Sequence, residues 1–419
     1  MLQQILDFIK GLNPDILIQA PARINLINPL DAVEGDFWMP SAAINGLDNP
    51  LSVFVYIKKR EMFSSVKFYS NLDGSDKLNI YVSKEEKIEK NLNDSMKKLN
   101  GEFKLFYASI YRLIKTNFAF REKFEKENFE IGIITTIPLK SGLGGSAAIV
   151  IGIMYGLAKY FGLYNNFVSL KKGEFPINRD ILAEIATKVE DQDLKITAGY
   201  GDRYVIARGG LGFCSYFGKV FHKKISLEPL AIYDRIDLTY NIKTLPIIIC
   251  FSGVGHESGV VHEKLRRYYL DEDPIIIKGY QNLAEISWKS RFALMRHDWK
   301  QLGDYFKENT AIMNNLMRHV GFLHGIGLLN NILIRLIEHN SDVFAAKLTG
   351  AGGGGSIFAL VKPDQIDTVL LSWKEELNKI INSEEYYRSL FPESHLEARD
   401  QLKNAQFFKI KIVPGVKKL

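Results

Sequence analysis

Cysteine is nearly absent from this 419-residue chain: two occur, Cys214 and Cys250, in the apolar contexts FCSYF and IIICF. That excludes a disulfide framework, and the strand-like surroundings predict two small core residues rather than a bonded or metal-binding pair. No cluster of cysteine and histidine offers ligands for zinc. No stretch reaches the roughly 18 continuous apolar residues that would span a bilayer, so no membrane partner is expected. The opening MLQQILDFIKGLNPD has amphipathic helix spacing and lacks the apolar centre and cleavage site of a secretory signal, which predicts a cytoplasmic protein. Basic residues form no stripe interleaved with aromatics, so nucleic acid is not an expected partner either.

What is present is an ordinary globular composition, 46% hydrophobic and 24% charged. The length allows two buried cores. A net charge of +6 is mild; a lysine-rich surface accounts for it, with some advantage for anionic substrates. Strand patterns are expected at 16–27, 51–59, 66–70 and 129–138. The charged stretch 83–98 reads as an exposed connection, followed by helices at 103–115, from about 146 to 161, and at 181–190. DRYVIA and LGFCSYF read as two short strands flanking Gly209 and Gly210. From 245 the pattern changes: a buried strand LPIIICF, helices at 261–269, 275–296, 299–315 and 323–338, then strand SIFALV, a helix at 366–378 and a last strand QFFKIKIV. The mixed order predicts an α+β fold with one domain over 1–230 and a second over 231–419.

The stretch IPLKSGLGGSAAIVIGIMYGLAKYF, beginning at Ile137, reads as a strand end, a glycine-rich bend and a long helix. Gly142, Gly144 and Gly145 let backbone approach an anion closely, and the helix mouth adds unpaired N–H groups and the positive end of the dipole. Phosphate binding is one reading; a strand–helix junction that only needs glycine to turn is the other. The bend is not a Walker A loop, because Ala147 follows Ser146, and it is not a GxGxxG motif. A second glycine-rich segment, KLTGAGGGGS from Lys347, carries four successive glycines, which cost chain entropy and make sense where backbone meets a ligand or a neighbouring loop.

PLKSGLGGSAA resembles the second signature of the GHMP kinases, the family of galactokinase, homoserine kinase, mevalonate kinase and phosphomevalonate kinase. KLTGAGGGGS resembles the third, and APARINLINPLDAVEG, from Ala20, the first. All three stand in the family's order. The resemblance implies an N-terminal domain like ribosomal protein S5, a ferredoxin-like C-terminal domain and an active site between them that takes ATP and Mg²⁺. It implies nucleotide contacts at Pro138, Lys140, Ser141, Gly142, Leu143, Gly144, Gly145, Ser146 and Ala147, with Gly352 and Gly353 beside them. Lys347 is read as a strand-edge lysine.

Phosphoryl transfer asks a protein mainly to hold phosphates, metal and acceptor in line. Ser146 can ligate Mg²⁺ or cap the helix. Glu190 and Asp202, in VEDQDLKITAGYGDRYVIARGGL, suit a metal carboxylate and a catalytic carboxylate, the latter accepting the acceptor proton or orienting the hydroxyl. Asp191 and Asp193 compete for the metal role or form a solvated helix end. Arg23 is a fixed cation for the moving phosphoryl group, or a structural ion pair. Asn28, Asp31, Arg203 and Gly350 are expected near the acceptor.

DLKITAGYGDRYVIARGGL, SGVVHEKLRRYYLDED and NPLD further resemble the glucuronokinase pattern. Arg203 and Arg266 or Arg267 could pair with the carboxylate of a sugar acid, or with neighbouring acidic side chains. His256 and His262 are read as loop-surface residues. The expected activity is transfer of the γ-phosphoryl group to a sugar hydroxyl, the anomeric one of glucuronate first, by a monomer or homodimer. Another GHMP acceptor such as galactose or mevalonate, or a silent sugar and ATP sensor, is the alternative.

Overall fold

The computed structural model describes every residue except 28–30, 34–37, 75–76, 91, 169, 172–173, 217–230 and 393–395. Its strands are β1 (Ile16–Asn25), β2 (Trp38–Gly46), β3 (Ser52–Lys59), β4 (Ser65–Gly74), β5 (Lys77–Lys87), β6 (Phe129–Thr135), β7 (Leu211–Tyr216), β8 (Ala231–Arg235), β9 (Ile247–Phe251), β10 (Val343–Leu348), β11 (Ser356–Val361), β12 (Gln406–Ile412) and β13 (Lys417–Lys418). They join into one curled sheet whose main path runs β10-β11-β9-β12-β2-β1-β3-β6-β4-β5. Apart from the parallel β4–β6 pair, the described pairings are antiparallel.

Strand alternation sorts the core. On β1, Ile16, Ile18, Ala20, Ala22 and Ile24 enter the main core, and on β3 Val53, Val55 and Ile57 do the same. Leu17, Phe54 and Tyr56 face the other way and close a small second core under the N-terminal helix Leu2–Gly11, with its Ile5 and Ile9. The same period of two puts Arg23 and Asn25 together on one face at the end of β1. The helix Gly145–Tyr160 is apolar nearly all round and is buried accordingly.

Two sequence expectations fail here. The charged stretch 83–98 is not a connection: β5 runs to Lys87 and a helix covers Leu92–Lys97. DRYVIA is not a strand but lies within the helix Gly201–Arg208. Its β-branched valine and isoleucine suggested a strand, yet Asp31 accepts the Gly201 N–H at 2.7 Å at the helix start, and Gly209, at φ +80°, ends it.

The last residues of the chain return to the N-terminal half. β12 bridges β9 and β2, so the proposed domains 1–230 and 231–419 share one sheet. Beyond it, Gly210 N–H bonds Val413 O at 2.9 Å and Val416 N–H bonds Ile206 O at 2.8 Å, clamping the C-terminal end of Gly201–Arg208. Deleting 413–419 removes these bonds and the buried Val416, and is expected to lower the calorimetric Tm by at least about 5 °C. An unchanged Tm contradicts the clamp.

Candidate active site

The glycine bend leaves the amides at the helix mouth open to a ligand. Gly142 and Gly144 adopt φ of +74° and +79°, and Gly144 is the N-cap of Gly145–Tyr160 with no side-chain cap. The first-turn amides therefore lack a side-chain acceptor, the condition for anion binding. Pro138, Lys140, Ser141, Gly142, Gly144, Gly145 and Ser146 line a cleft of about 450 Å³ together with Arg23, Asn25 and Asp202. Leu143 and Ala147, also expected at the nucleotide, are core residues and do not line the cleft. The hydroxyl of Ser146 is exposed and makes no hydrogen bond among the described residues, so it is not spent on capping.

Arg23 ties the bend to the carboxylate across from it. Its Nε and Nη2 donate to the two oxygens of Asp202 at 2.6 and 2.5 Å, and Nη1 donates to the Gly142 carbonyl at 2.5 Å. Arg23 N–H also bonds Leu143 O at 3.0 Å. A Cβ on Gly144 would stand 2.9 Å from Arg23 Cγ, which is why this turn needs glycine. Asn25 Nδ2 donates to Asp202 at 3.3 Å. Burial alone would raise the Asp202 carboxyl, but the Arg23 guanidinium, followed by Arg203 and the Asn25 amide, holds it down at about 2. So depressed a carboxylate is a weak base; its strength is in orienting a hydroxyl and accepting its hydrogen bond.

The acidic run that precedes Asp202 in the chain is engaged in ion pairs. A π-helical turn, Val189–Asp193, fans its carboxylates toward separate arginines. Buried Glu190 pairs with Arg203, Asp191 with Arg266 at 2.9 Å, and Asp193 with Arg112 at 2.5 Å. The solvated-end reading of Asp191 and Asp193 is thereby overturned. Arg203 and Arg266, read as partners either of a substrate carboxylate or of neighbouring acidic side chains, are committed to protein partners: Arg203 also donates to Gly199 O at 2.9 Å and Arg266 to Ala32 O at 2.5 Å. Arg267 is exposed and lies over the Tyr268 ring. Asp31 lines the cleft but caps Gly201. Asn28 lies outside the described residues. No group of three or more His, Cys, Asp or Glu able to hold a metal occurs among the described residues.

The second glycine-rich segment, from Lys347, braces the glycine bend and the end of β1. A Cβ on Gly350 would meet Gly142 O at 3.0 Å, and Thr349 Oγ1 accepts the Asn25 N–H at 3.1 Å. Gly350 lines the cleft; Gly352 and Gly353 do not, lying instead against Met317 and bonded to Ile326 O. Lys347 sits on edge strand β10, but its side chain is buried beside Phe306 and Phe358, and burial pushes the amine well below its ordinary value.

Sequence reasoning missed Asn25, Thr349 and both histidines. His256 and His262 line the cleft and are not surface residues; burial pushes each imidazole down from 6.5 to about 4. Between those two pH values the unfolded chain binds more protons than the folded one, so stability falls as pH drops through the window. Replacing His262 by Asn is expected to make the fall in Tm from pH 7.5 to 4.5 shallower than in the parent. Equal slopes by calorimetry contradict this.

Comparison with known proteins places the architecture. Residues 108–210 match the N-terminal domain of the GHMP kinases and residues 292–379 their C-terminal domain. A D-glycero-alpha-D-manno-heptose 7-phosphate kinase of Campylobacter jejuni is 24% identical over 286 residues, 68% of this chain and 75% of the relative. Glucuronokinase 1 of Arabidopsis thaliana is 27% identical over 245 residues, 58% of this chain and 61% of the relative, less than two thirds of that protein. The solved structure of Lactococcus lactis galactokinase complexed with galactose has the same fold, with a TM-score of 0.65 at 17% identity over 96% of this chain and 95% of that one. With both family domains in the expected order on an α+β fold, the chain belongs to the GHMP kinase family.

Proposed function

We propose that this protein is an ATP-dependent kinase that phosphorylates a sugar hydroxyl. One observation carries the reading: an uncapped helix mouth with a glycine bend, and a carboxylate clamped by Arg23, line one cleft. The nucleotide phosphates would lie on the amides of 142–146. The acceptor hydroxyl would donate to Asp202, which fixes its direction toward the terminal phosphorus. Arg23, between the two, would offset charge building on the transferred group.

Magnesium would supply charge neutralisation on the phosphates. Ser146 Oγ fits as its protein ligand, being open to the cleft. Glu190 fits less well, since its carboxylate is held by Arg203.

Glucuronate is the first acceptor we propose, supported by the glucuronokinase relatives and the SGVVH segment. Its carboxylate would not meet Arg203 or Arg266. Lys104 and Lys195, cleft lysines without an ion pair among the described residues, are the available cations. The same lysines suit a phosphorylated sugar, and the heptose 7-phosphate kinase likeness makes that the second reading. Retention of Arg23, Ser146 and Asp202 together supports turnover over a silent sensor.

The test is ADP release with glucuronate, heptose 7-phosphate, galactose and mevalonate. Asp202→Asn is expected to lower kcat by at least about 100-fold while leaving nucleotide affinity near the parent's. Ser146→Ala is expected to raise the magnesium needed for half-maximal rate by about 5-fold or more. An unaffected Asp202→Asn rate contradicts the assignment.

A further inference from the structure

His262 lies in the helix Ser258–Leu270, with Nδ1 3.0 Å from the Thr197 carbonyl oxygen. A carbonyl oxygen only accepts, so this bond assigns the ring proton to Nδ1 and leaves Nε2 as a lone-pair acceptor. Nε2 is shielded from solvent and has no hydrogen-bond partner among the described residues. The same wall holds its complement. Arg203 spends one Nη on Glu190 and the other on Gly199 O, while its Nε–H is buried without a partner. Both side chains line the cleft that contains Asp202.

An acceptor and a donor left empty in a sheltered wall each cost about 1–3 kcal/mol, and evolution rarely leaves both without use. The chemistry that fills them is restricted. An ionised carboxylate or phosphate presents only acceptors and would oppose the Nε2 lone pair. A hydroxyl donates to one site and accepts from the other.

We infer that His262 Nε2 and Arg203 Nε read hydroxyl groups of the acceptor other than the one phosphorylated, making His262 a specificity-determining residue that selects polyhydroxylated substrates. This rests on the kinase reading above. It places the sugar's hydroxyl-bearing ring against the Ser258–Leu270 helix and any acidic substituent off the Nε2 lone pair of His262.

The test separates the ring's structural bond from its ligand bond. His262→Asn keeps an amide N–H where Nδ1–H meets Thr197 but removes the Nε2 acceptor; His262→Gln returns an oxygen near the Nε2 position. With a sugar that the parent phosphorylates, His262→Asn is expected to raise the sugar KM by about 10- to 100-fold, leaving the ATP KM unchanged and the Tm at pH 7.5 within about 2 °C. His262→Gln is expected to recover part of that loss. Monodeoxy versions of the sugar should include one that the parent discriminates against and His262→Asn does not. A parental sugar KM in both variants overturns the inference while leaving the kinase reading intact. A parent that phosphorylates none of the sugars overturns the kinase reading and this inference together.

Discussion

A single guanidinium, carried on the central strand β1, holds together three of the segments that line the cleft. Arg23 grips both oxygens of Asp202 and the carbonyl of Gly142, and its own backbone bonds Leu143. The glycine bend, the Asp202 helix and β1 therefore keep one relative geometry. Around it, opposite charges are paired one to one: Glu190 with Arg203, Asp191 with Arg266, Asp193 with Arg112. Buried pairs of this kind add little net stability compared with apolar packing, but breaking one is costly, so they fix an arrangement more than they strengthen it.

This pairing bears on the chemistry. Arg23 makes Asp202 too weak a base to pull a proton early, and leaves it well suited to aim a hydroxyl. Phosphoryl transfer demands alignment and charge compensation more than a strong base, so a clamped carboxylate is matched to that demand. The family's third glycine segment enters as a brace: Thr349 bonds β1 and Gly350 abuts Gly142, so the loop that would touch phosphate is supported from behind.

The parts legible in the sequence are those set by local pattern. Alternation on β1 and β3, the apolar helix after the glycine bend and the three glycine-bearing signatures each read directly, and they lead to the fold and single out Arg23 and Asp202. What stayed hidden depends on partners far away in the chain. The Asp202 helix looks like a strand until Asp31, 170 residues earlier than Gly201, caps it. The sequence left the arginines open between a substrate and acidic neighbours because their carboxylate partners are specified by tertiary packing and by a π-turn with no sequence signature. His256 and His262 looked like surface residues because nothing local tells that a helix from the second half will cover the cleft.

The central claim is that phosphate is held by backbone at the mouth of Gly145–Tyr160 while Arg23 keeps Asp202 facing it. A crystal structure with a non-hydrolysable ATP analogue and the acceptor sugar tests this most directly. The account predicts phosphate oxygens on the amides of 142–146, an unbroken Arg23–Asp202 pair and a sugar hydroxyl within hydrogen-bond distance of Asp202. Phosphates bound elsewhere, or a sugar seated away from Asp202, would contradict it.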